Sequence, residues 1–244
     1  MELTGQKGTN LGSDSDLRPL VIDVDGTLIR SDLLLESFFA LIKRNLLLVF
    51  LVPFWLVRGK AHFKHEIASR VDIDAALLPY QEEFLDFLKA EHAAGRRLVL
   101  ATASNEKYAN AIARELGIFD EVLASTATIN LSGQRKLDRI KQSFGDLPFD
   151  YAANAKIDVR IWAEAANALL VNPERGVRRA AERIATVSRV FDDRNVSSYR
   201  TLLVALRLHQ WLKNLLVFVP LLLAHQLGNA VLVAQALLAF IAFG

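Results

Sequence analysis

Cysteine is absent from this 244-residue chain. That excludes disulfide scaffolds, thiolate zinc sites and cysteine nucleophiles, and it fits a reducing compartment. Net charge is scarce as well: 29 Lys and Arg stand against 27 Asp and Glu, a surplus of +2. So small a surplus supports no polyanion-binding argument, and no nucleic-acid partner is expected. The polar start of the chain, residues 1–17, lacks the apolar stretch of a signal peptide and reads as a flexible tail. Apolar side chains, by contrast, make up 52% of the residues, at a mean hydropathy of +0.23. That is enough to build a core, and it excludes disorder of the whole chain. The length allows one large domain or two small ones.

The placement of charge divides the chain. The last acidic residue is Asp193; beyond it lie four bases, Arg194, Arg200, Arg207 and Lys213. FDDRNVSSYR suggests a polar linker over 192–200. After it, LLVFVPLLLA (215–224) and AVLVAQALLAFIAFG (230–244) are uncharged runs separated by HQLGN. Spanning helices of about 20 apolar residues are expected here, with the basic flank on the cytoplasmic side and Trp211 at the interface. A buried helical hairpin is the alternative. Because the sequence stops inside an apolar run, it is expected to be the first part of a longer membrane protein.

The first 193 residues alternate short apolar runs with helical stretches. LRPLVIDVDGTL (17–28), RRLVLATAS (96–104), EVLAS (121–125) and ALLVNP (168–173) have the composition of buried parallel strands. Between them, NEKYANAIARELG (105–117) and KLDRIKQSFG (136–145) are helices that each end on glycine. The expected fold is an α/β doubly wound parallel sheet, whose ligands bind beyond the carboxyl ends of the strands. Asp23 and Asp25 sit at such an end. At spacing i, i+2 on an extended strand they point the same way. Like charges so close call for a proton or a cation between them, and Mg²⁺ shared with a substrate phosphate meets that need. A solvated turn with no chemistry is the competing reading.

Four stretches taken together resemble the haloacid dehalogenase-like (HAD-like) phosphohydrolases. DVDGTL (23–28) is similar to their first motif and LVLATAS (98–104) to the second. SGQRKLDRI (132–140) resembles the stretch carrying the third-motif lysine, and DYAANAKID (150–158) stands in the place of the fourth. The resemblance implies a Rossmann-like fold over residues 18–191 and an aspartyl-phosphate mechanism. Asp23 is then the nucleophile and Asp25 the general acid and base. Thr102 and Lys136 stabilise the phosphoryl group, with Gly26 and Ala103 also binding phosphate. Asp23, Asp25, Asn154 and Asp158 are the implied Mg²⁺ site. Two of these residues have plainer readings, Thr102 as a helix cap (a role Ser104 fills equally well) and Lys136 as a solvated lysine. The fourth motif departs from the family pattern, because Asn154 stands where an aspartate is usual. That removes a charge from the site, and an inactive scaffold or regulatory module is the alternative function.

Residues 31 to about 92 fall where many of these enzymes carry a cap. LLLESFFALIKRNLLLVFLVPFWLVRG (33–59) is apolar apart from Glu36 and the Lys43–Arg44–Asn45 break. An in-plane or re-entrant membrane hairpin and an ordinary buried helix pair both fit it. His62, Lys64 and His65 are assigned to the cap surface. If the cap touches lipid, a lipid-linked phosphate is a natural substrate.

LRLHQWLKNLLVFVPLLLAH (206–225) resembles the opening of UbiA-type polyprenyltransferases, closest to the branch that transfers phosphoribose to a polyprenyl phosphate. Leu208 departs from the usual proline. Arg207, Lys213 and Asn214 are read either as phosphate-head-group ligands or as interfacial anchors. The acidic motifs of that family are absent, so this chain is not expected to transfer prenyl groups alone. Together the resemblances imply a HAD-like Mg²⁺ phosphatase on the cytoplasmic side of the cell membrane, joined over 201–244 to the start of a multi-pass transferase. Its expected partners are the lipid bilayer and a phosphorylated small-molecule or lipid-linked substrate.

Overall fold

The computed structural model describes residues 18–192 and 230–243. Six strands form one parallel sheet in the order β3-β2-β1-β4-β5-β6. They are β1 (Leu20–Ile22), β2 (Leu98–Asn105), β3 (Glu121–Ser125), β4 (Asp150–Ala153), β5 (Asn167–Val171) and β6 (Val187–Phe191). β1 lies between β2 and β4, so successive crossovers leave it in opposite directions and open a crevice at its carboxyl end. The apolar runs read as strands become β1, β2, β3 and β5. β4 lies in the fourth-motif stretch, and β6 has no counterpart among the runs.

Alternation along the strands feeds two cores. Leu20, Ile22, Leu98 and Leu100 face one layer with Phe84, Leu88 and Ile112, while Val21, Val99 and Tyr151 face the other with Ile140, Phe144 and Trp162. A strand apolar on both sides has to lie inside a sheet covered on both faces. The covering helices are amphipathic. α5 (Glu106–Leu116) starts on Asn105, whose side chain accepts from the Lys107 amide at 3.0 Å, and ends on Gly117 at φ 63°. Asn105, not Thr102 or Ser104, is therefore the helix cap. α6 (Gln134–Phe144) ends on Gly145 at φ 61°. The short α7 (Val159–Trp162) and α8 (Val177–Glu182) complete that side. At the amino end of the sheet, buried Arg96 bonds both Asp150 and the Arg18 carbonyl, far from the crevice.

Between β1 and β2 lie α1 (Leu33–Arg44), a 3₁₀ segment (Leu46–Leu51), α2 (Val52–Val57), α3 (Lys60–Ala68) and α4 (Glu82–Ala93). Leu41, Trp55, Ile67 and Val71 form a small core of their own. α4 behaves differently, since Phe84, Leu85 and Leu88 join the main core. The small separate core thus draws on α1–α3 and Val71, while Leu33 of α1 and Ala68 of α3 also join the main core. Of the two readings of the insertion's apolar run, the wholly buried pair does not hold. Trp55 is buried while Leu47, Phe50, Phe54 and Val57 are exposed.

The chain divides into two units between Asp192 and Asp193. The described part of the second is one apolar helix, α9 (Ala230–Phe243), of 14 residues. A bilayer crossing takes about 20. Among the described residues no helix is long and apolar enough to cross a membrane. The expected tail over 1–17, the expected linker beyond Asp192 and the part of the expected membrane domain over 201–229 lie outside the described residues.

Candidate active site

The chain leaves β1 through Asp23, whose amide donates to the Ala152 carbonyl at 3.0 Å, and turns at once. The Thr27, Leu28 and Ile29 amides all donate to the Val24 carbonyl, which folds 24–29 into a tight loop. Gly26 sits there at φ 72°, and a Cβ on it would collide with the Asn154 amide. Glycine is required twice over, by conformation and by space. On the neighbouring strand the register of β2 shifts between Ala101 and Asn105. Such an irregularity at a strand end re-aims the side chains that follow.

These loops enclose an open cleft of about 540 Å³, lined among others by Asp23, Asp25, Gly26, Lys64, Ala103, Lys136, Asn154 and Glu174. Six of the eight residues singled out from sequence line it. Thr102 and Asp158 do not. Thr102 is fully buried, and its hydroxyl oxygen accepts from the Ser104 amide at 3.0 Å. Asp158 is also fully buried and belongs to a network beneath the cleft floor.

Lys136 links floor and cleft. Its Nζ donates to Asp23 Oδ1 at 2.9 Å and to the Tyr151 hydroxyl at 3.2 Å, and lies 3.7 Å from Asp158 Oδ1. The Tyr151 hydroxyl in turn donates to Asp158 Oδ1 at 2.9 Å. Burial pulls the lysine pKa down, but Asp23 and Asp158 more than offset it and leave the pKa raised. Burial, then the Asp158 charge, pushes the Tyr151 hydroxyl well above its ordinary value. Asp158 rises to about 6, driven by burial against the pull of Lys136. Lys136 is thus no solvated lysine; it is buried between two carboxylates.

Asp25 has different company. Oδ1 accepts from the Leu33 amide at 2.8 Å, at the first residue of α1, and Oδ2 accepts from the Ser104 hydroxyl at 2.7 Å. Both donors are neutral. Burial first and the Asp23 charge second raise its pKa to about 6. The two carboxylates of one DVD triplet therefore differ sharply, one ion-paired and one poised to carry a proton near neutral pH.

Lys64 corrects the surface assignment. It reaches from α3 into the cleft, where Nζ donates to the Ala103 carbonyl at 2.6 Å and to Asn130 Oδ1 at 3.1 Å. Its pKa is lowered by burial, against the opposing pull of Asp25 and Asp32. Ser104, Tyr151 and Glu174 were also missed. Ser104 stands two places past Thr102 on the same strand. Tyr151 lies in β4 between Asp150 at the amino end and two alanines, and Glu174 follows β5 at the carboxyl edge of the sheet.

The donor set suits a hard cation. Asp23, Asp25 and Asn154 bring oxygen ligands to one opening, and burial plus the neighbouring Asp23 charge disfavour Asp25 as a bare anion. Among the described residues no three His, Asp or Glu side chains are grouped closely enough to hold a metal ion by themselves. Asn154 Oδ1 faces the Thr27 hydroxyl at 3.4 Å.

A doubly wound sheet with paired carboxylates at the end of its central strand, answered by a buried lysine, has the site architecture of a hydrolase. The chain belongs to the haloacid dehalogenase-like hydrolases, whose family model matches residues 20–163. An uncharacterized protein of Sinorhizobium fredii is 35% identical over 231 residues, 93% of this chain. The chain spans 44% of the length of that relative. A HAD family hydrolase from Salmonella enterica serovar Typhi shares the fold at TM-score 0.52 and 13% identity, over 76% of this chain and 69% of its own. A Bordetella pertussis protein of unknown function does so at TM-score 0.50 and 19% identity, over 72% and 99%.

Proposed function

We propose that this cleft hydrolyses phosphomonoesters through a phosphorylated Asp23. A carboxylate oxygen of Asp23 attacks phosphorus and the bond from phosphorus to the ester oxygen breaks. Asp25, entering the step protonated, gives its proton to the departing oxygen. Asp25 then takes a proton from water as that water attacks the aspartyl-phosphate, which releases phosphate and restores both carboxyls. Lys136 offsets the charge that gathers on Asp23 and the phosphoryl oxygens, and Gly26 and Ala103, which line the cleft, border those oxygens. Asp158 acts through Lys136, holding its ammonium in place together with Tyr151. Asp23 and Asn154, beside Asp25, would hold Mg²⁺, which would supply positive charge for the transferring group. The single observation carrying this reading is the contrast between Asp23 on buried Lys136 and Asp25 raised to about 6.

The substrate in this reading is a phosphorylated small molecule or a lipid-linked sugar phosphate. Supporting the lipid-linked case is an apolar groove of about 340 Å³ lined by Leu34, Phe38 and Phe63, which shares Asp32 and Leu35 with the cleft. The UbiA-like motif over 206–225 supports fusion to a polyprenyltransferase, with the hydrolase unit on the cytoplasmic face of the cell membrane. Phosphate release by the whole chain in detergent tests the hydrolase. The substrates are a polyprenyl-linked phosphoribose phosphate and simple sugar phosphates, with Mg²⁺, with EDTA, and with Asp23→Asn. Metal-dependent turnover abolished by the substitution is expected. A folded chain that binds no Mg²⁺ and turns over no better than Asp23→Asn fits the scaffold role, which the missing acid at position 154 favours.

A further inference from the structure

The apolar run between Lys43 and Lys60 has two faces. Leu48, Val52 and Trp55 pack inward on the small core of the insertion. Leu47, Phe50, Phe54 and Val57 recur at helical spacing on the other face and are 70%, 73%, 70% and 88% exposed. Large apolar side chains grouped this way on a soluble surface mark an interaction site. The flanks are basic: Lys43 and Arg44 close α1, and Arg58 and Lys60 follow α2, all exposed. No acidic residue occurs anywhere from Ser37 to His65.

We propose that this tip of the insertion docks on an anionic lipid surface, with Phe50, Phe54 and Val57 seated among the acyl chains and the bases on head-group phosphates. Charge decides between the candidate occupants. A second copy meeting this face across a two-fold axis would bring the bases of two rims together, and the exposed acid near Arg44, Asp72, is already paired with Lys107. An anionic leaflet supplies the complementary charge and an apolar layer in the right order. The elements are short, six residues in the 3₁₀ segment and six in α2, so the tip lies in the interface and does not cross. Beneath it, Trp55 packs inward and carries Arg70 over its ring at 4.9 Å, a fixed platform for the outer face. The docking is independent of the hydrolase reading and of residues 201–244.

The lack of native cysteine makes the test clean. The intact chain carries a single environment-sensitive fluorophore on Phe54→Cys or, as a control on α4, on Lys89→Cys. It is mixed with vesicles of phosphatidylcholine containing phosphatidylglycerol. The Phe54 probe is expected to shift to the blue and to be quenched by brominated acyl chains, while the Lys89 probe does neither. Lys43→Gln, Arg58→Gln and Lys60→Gln together should weaken partitioning of the Phe54 probe about tenfold or more, as should omitting phosphatidylglycerol. A Phe54 probe that stays in water while the chain is vesicle-bound overturns the proposal. So does a chain that binds no vesicle. A blue shift without lipid that grows with protein concentration also overturns it and assigns the face to a second copy.

Discussion

Lys136 Nζ and Asp23 Oδ1, 113 positions apart in sequence, meet at 2.9 Å beneath the cleft. The lysine comes from the first turns of α6 and the aspartate from the end of β1, so the pair exists only once the sheet is assembled. Removing one partner of a buried pair leaves the other charge uncompensated, at about 3–5 kcal/mol. Lys136→Met should destabilise by that order in chemical unfolding and abolish turnover. Tyr151→Phe removes only the neutral bridge to Asp158. It should cost about 1–2 kcal/mol and leave turnover measurable. Equal losses in the two variants would contradict this division.

Asp25 gives a pH-dependent stability. Its folded pKa is raised from 3.8 to about 6, so the folded state binds its proton more tightly than the unfolded state. The fold is therefore most favoured, as far as this group goes, below 3.8, and loses stability as pH climbs from about 4 to about 6. Asp25→Asn removes that cost. In EDTA the variant should gain about 2 kcal/mol over the parent at pH 7.5, and much less at pH 4.5. Urea midpoints at the two pH values check it, and a gain independent of pH would count against the raised pKa.

Gly26 and Gly145 share a positive φ but not their surroundings. A Cβ at Gly26 runs into Asn154, whereas none of its neighbours lies within 4 Å of one at Gly145. Gly145→Ala should cost about 1 kcal/mol of conformational strain and leave activity alone. Gly26→Ala should cost more and, by displacing Asn154, weaken Mg²⁺ binding. Thermal unfolding and Mg²⁺ titration of both variants separate the two effects.

Asn154→Asp restores a charge to the cleft. Mg²⁺ affinity by calorimetry should rise about tenfold or more, since hard cations gain most from charged oxygen ligands. An unchanged affinity would place the cation elsewhere.

The sheet was legible because buried parallel strands are short, apolar and bounded by turn residues, as at 98–104 and 121–125. β6 was not. In VSRVF, Ser188 and Arg189 are exposed on the edge of the sheet, so the run lacks the continuous apolar character of the others. The i, i+2 carboxylates could be read locally, as could Lys136 by resemblance. Lys64 on α3, Ser104 near the end of β2 and Glu174 in the loop after β5 are far apart in sequence, and only the strand order brings those elements together. Apolarity likewise marked 33–57 as unusual, but periodicity alone did not show which side of it meets water.

The most direct measurement is the search for a phosphoryl group on Asp23. The intact chain is mixed with a sugar phosphate and Mg²⁺, quenched in acid, digested and analysed by mass spectrometry. One phosphoryl group on the peptide carrying Asp23, removed by hydroxylamine and absent from Asp23→Asn, is the expected result. Phosphate release with water oxygen entering directly, and no label on that peptide even in Asp25→Asn, would contradict the mechanism proposed for this cleft.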